Sequence, residues 1–168
     1  SGPDFMPLGI EKLDFPAACL VGDTHTGQMK WRQEYARQFE DVFLMYNRPN
    51  IPDFRAAGCE KVHWLPGACD PRSQGMIQAE KAYDIGFVGQ THKQWHPDRV
   101  RLLERLIRAG HDVHIESKIL EEMSLFYSRS RIVFNRSLNG DLNRRVFEAL
   151  CSGSMLLTDR LPEEVGLE

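Results

Sequence analysis

Residues 135–159 read Asn135-Arg-Ser-Leu-Asn-Gly-Asp-Leu-Asn-Arg-Arg-Val-Phe-Glu-Ala-Leu-Cys-Ser-Gly-Ser-Met-Leu-Leu-Thr-Asp159. The pattern predicts a polar loop, a helix over 142–151, a turn at Gly153 and an apolar strand over 155–157. A helix is the usual connection between parallel strands, so this order is typical of a parallel α/β fold. One acid, Glu148, lies within an otherwise apolar helical face.

The same alternation of strand and helix patterns runs along the rest of the chain. Strands are predicted at 17–21, 42–46, 61–65, 84–88, 112–115 and 131–134, and helices at 28–39, 51–58, 97–109 and 119–127. The amphipathic spacing places Ile107 on the apolar face of the helix at 97–109 and Leu120 on that of the helix at 119–127. We therefore expect an α/β fold with doubly wound parallel sheets. In such sheets ligands bind beyond the carboxyl ends of the strands, at the loops 22–28, 89–96 and 135–143.

The domain organisation is predicted from a break in this alternation. Residues 66–83 contain two prolines and two glycines and show little apolar periodicity, which is typical of a linker. We expect an N-terminal lobe over 1–70, a linker over 71–83 and a C-terminal lobe over 84–168.

Composition and charge exclude several classes of function. The chain has 168 residues, 42% of them hydrophobic, and a net charge of −3, which argues against a nucleic-acid partner. The spacing of Cys19, Cys59, Cys69 and Cys151 matches no zinc pattern, so reduced cysteines in a cytoplasmic protein are expected. Neither a transmembrane segment nor a signal peptide is predicted. The histidine pairs at 92/96 and 111/114 lack a third ligand, so no metal site is expected.

The segment 139–148 combines features of an anion site. Gly140 permits close backbone approach, while Asn139, Asn143, Arg144 and Arg145 supply hydrogen-bond donors at a helix N-terminus that favours phosphate. Glu148, further along the helix, is placed to accept hydrogen bonds from sugar hydroxyls. The alternative is that Asp141 simply caps the helix and Glu148 pairs with Arg144 at the surface.

Two other loops carry chemistry. The loop after the strand at 84–88 contains Gly89 and Lys93, which suit a phosphate, although an ordinary turn has the same pattern. The loop after the first strand contains His25 and Asp23. His25 is suited to carry a proton, and Asp23 is suited to orient the histidine. The alternative is a turn with Asp23 as a helix cap and His25 exposed.

Several motifs resemble group 1 glycosyltransferases, and among them the spore-maturation (CgeB-like) branch. They are Asp84-Ile-Gly-Phe-Val-Gly89, Asp141-Leu-Asn-Arg-Arg-Val-Phe-Glu-Ala-Leu-Cys-Ser-Gly153 and Leu156-Leu-Thr-Asp159. The segments Gly22-Asp-Thr-His25, Phe39-Glu-Asp-Val-Phe43 and Trp64-Leu-Pro-Gly-Ala-Cys-Asp-Pro71 are also similar to that branch. The resemblance extends from about residue 16 to 166.

The resemblance implies a GT-B fold with two Rossmann-like lobes, both incomplete in this chain. It implies a hexosyltransferase-type enzyme that needs no metal or cofactor and takes a nucleotide-diphosphate sugar as donor. The acceptor would be a glycan, a protein or a small molecule. Glu148 matches the residue that holds the donor's ribose. The other matches are Asn139, Gly140, Asn143 and Arg144 near the diphosphate, Gly89 and Lys93 facing the phosphates, and His25 as a histidine in the cleft of the N-terminal lobe. With Asp23, which is suited to orient it, His25 forms the expected catalytic pair.

One departure from the family pattern limits this expectation. Group 1 enzymes often carry a second glutamate eight residues earlier, where this chain has Gly140. Two alternatives therefore stay open. One is a non-catalytic GT-B-like binding or scaffold protein, and the other is a different nucleotide-sugar enzyme such as an epimerase.

Overall fold

The structure of the protein is a computed structural model that describes residues 9–24, 29–138 and 140–165. The chain divides into two compact units, each with its own parallel sheet. The first contains the described residues of Ser1–Gly67 and Leu161–Glu168, and the second is Ala68–Arg160. Two parallel sheets with helical connections confirm the predicted α/β fold.

The first unit has a three-stranded sheet in the order β1-β2-β3. Its elements are β1 (Ala18–Val21), α1 (Met29–Ala36), β2 (Asp41–Met45), α2 (Ile51–Ala56) and β3 (Lys61–Leu65), with single 3-10 turns at Ile10–Lys12, Arg48–Asn50 and Glu163–Val165. Each strand lies within a residue of its predicted bounds. The sheet is in parallel register, with Val42 opposite both Cys19 and Val62.

Alternate strand side chains build the core of this unit. Val42 and Leu44 are fully buried and pack with Phe54 of α2. Cys19 joins the same cluster, and burial raises the pKa of its thiol to about 11. The thiol is therefore neutral and packs as a small apolar group.

The second unit has a four-stranded parallel sheet in the order β5-β4-β6-β7. Its strands are β4 (Tyr83–Val88), β5 (Val113–Glu116), β6 (Ser130–Phe134) and β7 (Met155–Leu157), and its helices are α3 (Pro71–Gln74), α4 (Pro97–Arg108), α5 (Leu120–Arg129) and α6 (Arg144–Cys151). The sequence β4, α4, β5 moves one way across the sheet, and β6, α6, β7 moves the other way. This reversal of direction creates the crevice at which α/β sheets bind ligands.

Apolar side chains cover both faces of this sheet. Phe87 of β4 is fully buried on the face that packs against Leu103 of α4. Val133 of β6 is buried on the other face, with Met123 and Tyr127 of α5. Strands buried on both faces explain the continuous apolar runs in the sequence.

Three details differ from the sequence-based expectation. The segment 71–83 is part of the second unit: it contains α3, the Ser124 hydroxyl donates to the Gly75 carbonyl, and the Ile77 N–H donates to Ser128 Oγ at 3.0 Å. Ile107 is half exposed because it lies in the last turn of α4, beyond the buried strip. Leu120 is also exposed, and its left-handed backbone (φ 48°) takes it out of the helical repeat.

Within the three described ranges, no helix is long and apolar enough to cross a membrane.

Two leucines of the first sheet offer a matched test of its core. Leu44 of β2 is fully buried, whereas Leu20 of β1 is exposed. We expect Leu44→Ala to lower the free energy of unfolding by about 3 kcal/mol, because it removes buried methyl groups and leaves a cavity. Leu20→Ala should cost less than about 1 kcal/mol. Urea unfolding measures both, and equal losses would contradict the assigned core.

Candidate functional site

Helix α6 begins at Arg144 because Asn143 caps it. Asn143 has an extended backbone, and its Oδ1 accepts a hydrogen bond from the Arg145 N–H at 3.1 Å. The interpretation of Asp141 as the cap is wrong: Asp141 is buried, and its Oδ1 accepts from the Leu138 N–H at 3.1 Å. Asp141 therefore closes the loop that precedes the helix, and the helix begins two residues later than predicted.

Glu148 lies on α6 with only 11% of its side chain exposed. Its Oε1 accepts a hydrogen bond from Gln74 Nε2 at 3.2 Å and lies 3.5 Å from Arg144 Nη2. The pairing with Arg144 was one of the predicted alternatives, but the surface location that went with it is wrong. Oε2 makes no hydrogen bond within the part of the chain that the structure describes. One oxygen is thus held by the fold, and the other is available to a ligand.

Arg145 joins the ends of two strands. Its Nε and Nη2 donate to the Val88 carbonyl at 3.1 and 2.7 Å, and its Nη1 donates to Asn135 Oδ1 at 2.9 Å. The guanidinium lies over the Phe87 ring, 4.7 Å from its centroid. Arg145, predicted as a ligand donor, is therefore a structural connection between β4, β6 and α6.

Gly89 is required where it stands. It has a φ of 145°, and a Cβ there would lie 2.7 Å from Arg145 Nη2 and 3.2 Å from the Phe87 ring. The residue therefore lets the Arg145 guanidinium reach the end of β4. Gly140 also has a positive φ of 69°, whereas Asn139 lies outside the described residues.

Lys93 is exposed on the loop after β4. Its Nζ lies 2.8 Å from Glu104 Oε1, so its ion pair is with α4 and not with a residue of α6. Exposed pairs of this kind contribute little to stability, and Lys93 is free to change partner.

Sequence reasoning missed Arg99. Its Nη1 donates to the Gln90 carbonyl at 3.0 Å, and its Nη2 donates to the Arg136 carbonyl at 3.4 Å. Its guanidinium also lies over the Phe87 ring, 5.4 Å from the ring centroid. Burial, together with the charge of Arg145, lowers the pKa of Arg99 to about 10, so it stays charged at neutral pH. Arg99 lies in the first turn of α4, after Pro97, where a polar residue is normally expected to be exposed to solvent.

A cavity of about 190 Å³ with a mixed polar and apolar lining lies at Arg99, between the loops that follow β4 and β6. His96, Arg99, Arg136 and Ser137 contribute to its lining. Burial, with the charges of Arg99 and Arg145, lowers the pKa of His96, which keeps this ring neutral at pH 7. The cavity thus carries the charges of Arg99 and Arg136, partly offset by Asp98 in its lining, and lies at the carboxyl edge of the sheet.

Asp159 fixes the loop after β6. Its carboxylate accepts hydrogen bonds from the Ser137 N–H at 2.8 Å, from the Ser137 hydroxyl and from Arg136 Nη1. Burial by itself would raise the pKa of Asp159, but the bonds from Ser137 and the charge of Arg136 outweigh it and hold the pKa below its ordinary value. The folded state therefore favours the ionised form of the Asp159 carboxyl group.

The two predicted catalytic residues belong to the first unit. Asp23 has a left-handed backbone (φ 50°), and its carbonyl accepts from Arg32 Nη1 at 2.7 Å. A helix cap normally has an extended backbone, so Asp23 does not have the conformation of the cap that was considered for it. His25 lies outside the described residues. No group of three or more His, Cys, Asp or Glu among the described positions could hold a metal ion.

Asp159 offers a test of how the site loop is held. Because its pKa is lower in the folded than in the unfolded state, its contribution is complete above the unfolded value of about 3.9 and is lost as the pH falls through the folded value. We expect Asp159→Asn to lower the free energy of unfolding at pH 7 by about 1–3 kcal/mol. The variant should also lose stability less steeply than the wild type below about pH 4.

Urea unfolding from pH 7 to pH 2 measures both effects. Asp84→Asn is the control, because Asp84 is exposed and its one ion pair among the described residues is with Arg131. This change should alter the unfolding free energy by less than about 0.5 kcal/mol. Parallel pH profiles for the wild type and Asp159→Asn would contradict the assigned role.

Comparison with known proteins agrees with this architecture. A crystal structure of the pneumococcal O-GlcNAc transferase GtfA in complex with UDP and GlcNAc is similar with a TM-score of 0.57 and 16% identity, over 86% of this chain and 37% of that one. A structure of a GtfA/B complex is similar with a TM-score of 0.50 and 13% identity, over 82% and 33% of the two chains. These likenesses confirm the predicted GT-B fold class, and the chain spans about a third of the length of each. No curated protein matches.

The family assignment rests on a separate comparison. A family model described as glycosyl transferase-like matches residues 73–167, which is more than half of the chain and includes all elements from β4 to the whole of α6. The chain therefore belongs to the glycosyl transferase-like family.

Proposed function

We propose that this chain is the nucleotide-sugar-binding part of a glycosyltransferase that moves a sugar from a nucleotide-diphosphate sugar to an acceptor without a metal. The observation that carries the proposal is Glu148, a largely buried carboxylate with one oxygen held and the other available. A carboxylate in this position accepts hydrogen bonds from two neighbouring hydroxyls, which is how proteins commonly hold a ribose.

The residues around Glu148 suit a diphosphate. Arg144 opens α6 and has 53% of its side chain exposed, so it can contact an anion while it stays near Glu148. The positive end of the α6 dipole also favours an anion, and Gly140, with its positive φ, lets the backbone approach a ligand closely. Arg99 adds a partly buried positive charge at the same edge of the sheet. We assign to these groups the stabilisation of the charge that develops on the departing diphosphate.

The remaining roles follow the family resemblance. Asn139, Asn143, Gly89 and Lys93 are proposed on the donor side, although Asn143 also caps α6 and Lys93 must leave Glu104 to reach a phosphate. His25, with Asp23, is proposed as the proton carrier of the first unit. A hexosyl donor, a CgeB-like assignment and a cytoplasmic location belong to the same proposal. The UDP and GlcNAc named for GtfA make uridine nucleotides the first probes.

One observation favours a second candidate, a binding or scaffold protein without turnover. Gly140 occupies the position at which the family often has an acid that contacts the donor sugar. The neighbouring acid Asp141 is buried, and its Oδ1 is engaged with the Leu138 N–H, so it does not replace the missing contact. This candidate keeps nucleotide binding and removes catalysis.

Nucleotide binding tests the first part of the proposal. We expect UDP or another nucleoside diphosphate to raise the melting temperature by several degrees, since about 100 times Kd of ligand stabilises a protein by about 2.7 kcal/mol. Glu148→Gln should weaken binding by at least about tenfold, because an amide accepts at only one of its two positions. Calorimetric titration measures the affinity.

The control for this experiment is Glu121→Gln, which changes an exposed glutamate of α5 and should leave the affinity unchanged. If UDP, GDP and ADP all leave both the melting curve and the calorimetric baseline unaltered, the proposal is wrong. Product analysis with UDP-sugars then separates the alternatives: transfer or hydrolysis indicates a transferase, an altered sugar still linked to UDP indicates an epimerase, and binding without turnover indicates a scaffold.

A further inference from the structure

Gln74 is a buried polar residue to which the sequence assigned no function. It ends the short helix α3 and has 4% of its surface exposed. Its Oε1 accepts a hydrogen bond from the Asp70 N–H at 3.0 Å, and its Nε2 donates to Glu148 Oε1 at 3.2 Å. The Asp70 N–H can only donate, so the amide oxygen must face Asp70 and the amide nitrogen must face Glu148. The network thereby fixes the orientation of the amide.

The backbone that carries Gln74 is itself held on both sides. Asp70 caps α3 by accepting from the Arg72 N–H at 3.0 Å, and the Gln74 N–H donates to the Asp70 carbonyl at 2.7 Å. The Ser124 hydroxyl of α5 donates to the carbonyl of Gly75. The backbone at Gly75 leaves no room for a side chain, since a Cβ there would lie 2.2 Å from the Pro71 carbonyl oxygen. Gln74 therefore reaches Glu148 from a constrained turn and not from a mobile linker.

The two partners of Glu148 differ in kind. Arg144 is half exposed and approaches Oε1 at 3.5 Å, so it can move toward a bound anion. Gln74 is neutral and buried, and it keeps its bond whatever the charge state of the ligand. An unheld glutamate samples several rotamers, and a ligand that selects one of them binds more weakly. Gln74 removes this cost by fixing the carboxylate before the ligand arrives.

We propose that Gln74 is a positioning residue for the donor nucleotide: it holds Oε1 of Glu148 so that Oε2 accepts the hydroxyls of a ribose. This inference rests on the proposed function. Its consequence is a preference for ribonucleotides, because a site prepared for hydroxyl groups is left with an unpaired carboxylate oxygen when they are missing.

The test compares UDP, GDP and ADP with their 2′,3′-dideoxy counterparts on the whole chain by calorimetric titration. The wild type should bind the ribonucleotide at least about tenfold more tightly than the dideoxy form. Gln74→Met, which keeps the length of the side chain and removes its hydrogen bonds, should reduce this ratio to about threefold or less, mainly through weaker ribonucleotide binding. Affinity for the dideoxy form should stay unchanged, which a general loss of structure would not allow.

Two further variants keep the test decisive. Gln74→Met combined with Glu148→Gln should show no lower ratio than Glu148→Gln alone, because the two residues act as one unit. Gln74→Glu places a second carboxylate against Glu148, so its ribonucleotide affinity should be weak at pH 8 and recover toward pH 5, where the two acids share a proton.

The outcomes separate this inference from the function on which it rests. If no nucleoside diphosphate binds the wild type, the proposed function fails. If a ribonucleotide binds with a clear preference that Gln74→Met leaves intact, or if Gln74→Glu shows no recovery at low pH, the role of Gln74 is refuted and the proposed function stands. Equal binding of ribonucleotide and dideoxy forms by the wild type would also refute it.

Discussion

The second unit depends on the hydrogen bonds of one guanidinium group. Arg145 binds the Val88 carbonyl at the end of β4 and the Asn135 side chain just after β6, while it lies against Phe87 in the core. Strand ends in a parallel sheet leave carbonyl groups without a ladder partner, and a buried carbonyl must find a donor. Because Arg145 is the second residue of α6, these bonds also fix where that helix starts. Gly89 makes this arrangement possible, because a side chain there would collide with the Arg145 guanidinium.

The position of Arg145 determines the electrostatics of the edge. Arg99 and Arg145 both approach the ring of Phe87, so two positive charges lie close together in a partly buried place. Asp141 offsets the charge near Arg99, and Asp159 offsets that of Arg136. Two like charges repel each other, and an anion that binds near both reduces this repulsion. The two guanidinium groups thus place positive charge at this edge of the sheet, which suits the anionic ligand proposed above.

The sequence predicted most of the fold, since short β-branched and apolar runs alternate clearly with amphipathic helices, and all seven strands lie within about a residue of their expected bounds. The start of α6 was missed because Asp141 and Asn143 are both good caps, and only the burial of Asp141 distinguishes them. Of the candidate site, the sequence motif predicted Glu148, which the structure places largely buried on α6. Arg99 and Gln74 were not predicted, because their importance comes from contacts with distant segments, and a local pattern cannot show these.

The contact between Gln74 and Glu148 also has a kinetic meaning. It joins residues that are 74 positions apart, with β4, β5, β6 and three connecting segments between them. Closing so long a stretch of chain is unfavourable until the intervening sheet has formed, because parallel pairing is non-local throughout. The oriented carboxylate therefore belongs to the completed unit: a chain that has formed only part of its sheet does not yet hold Oε1 of Glu148 in place.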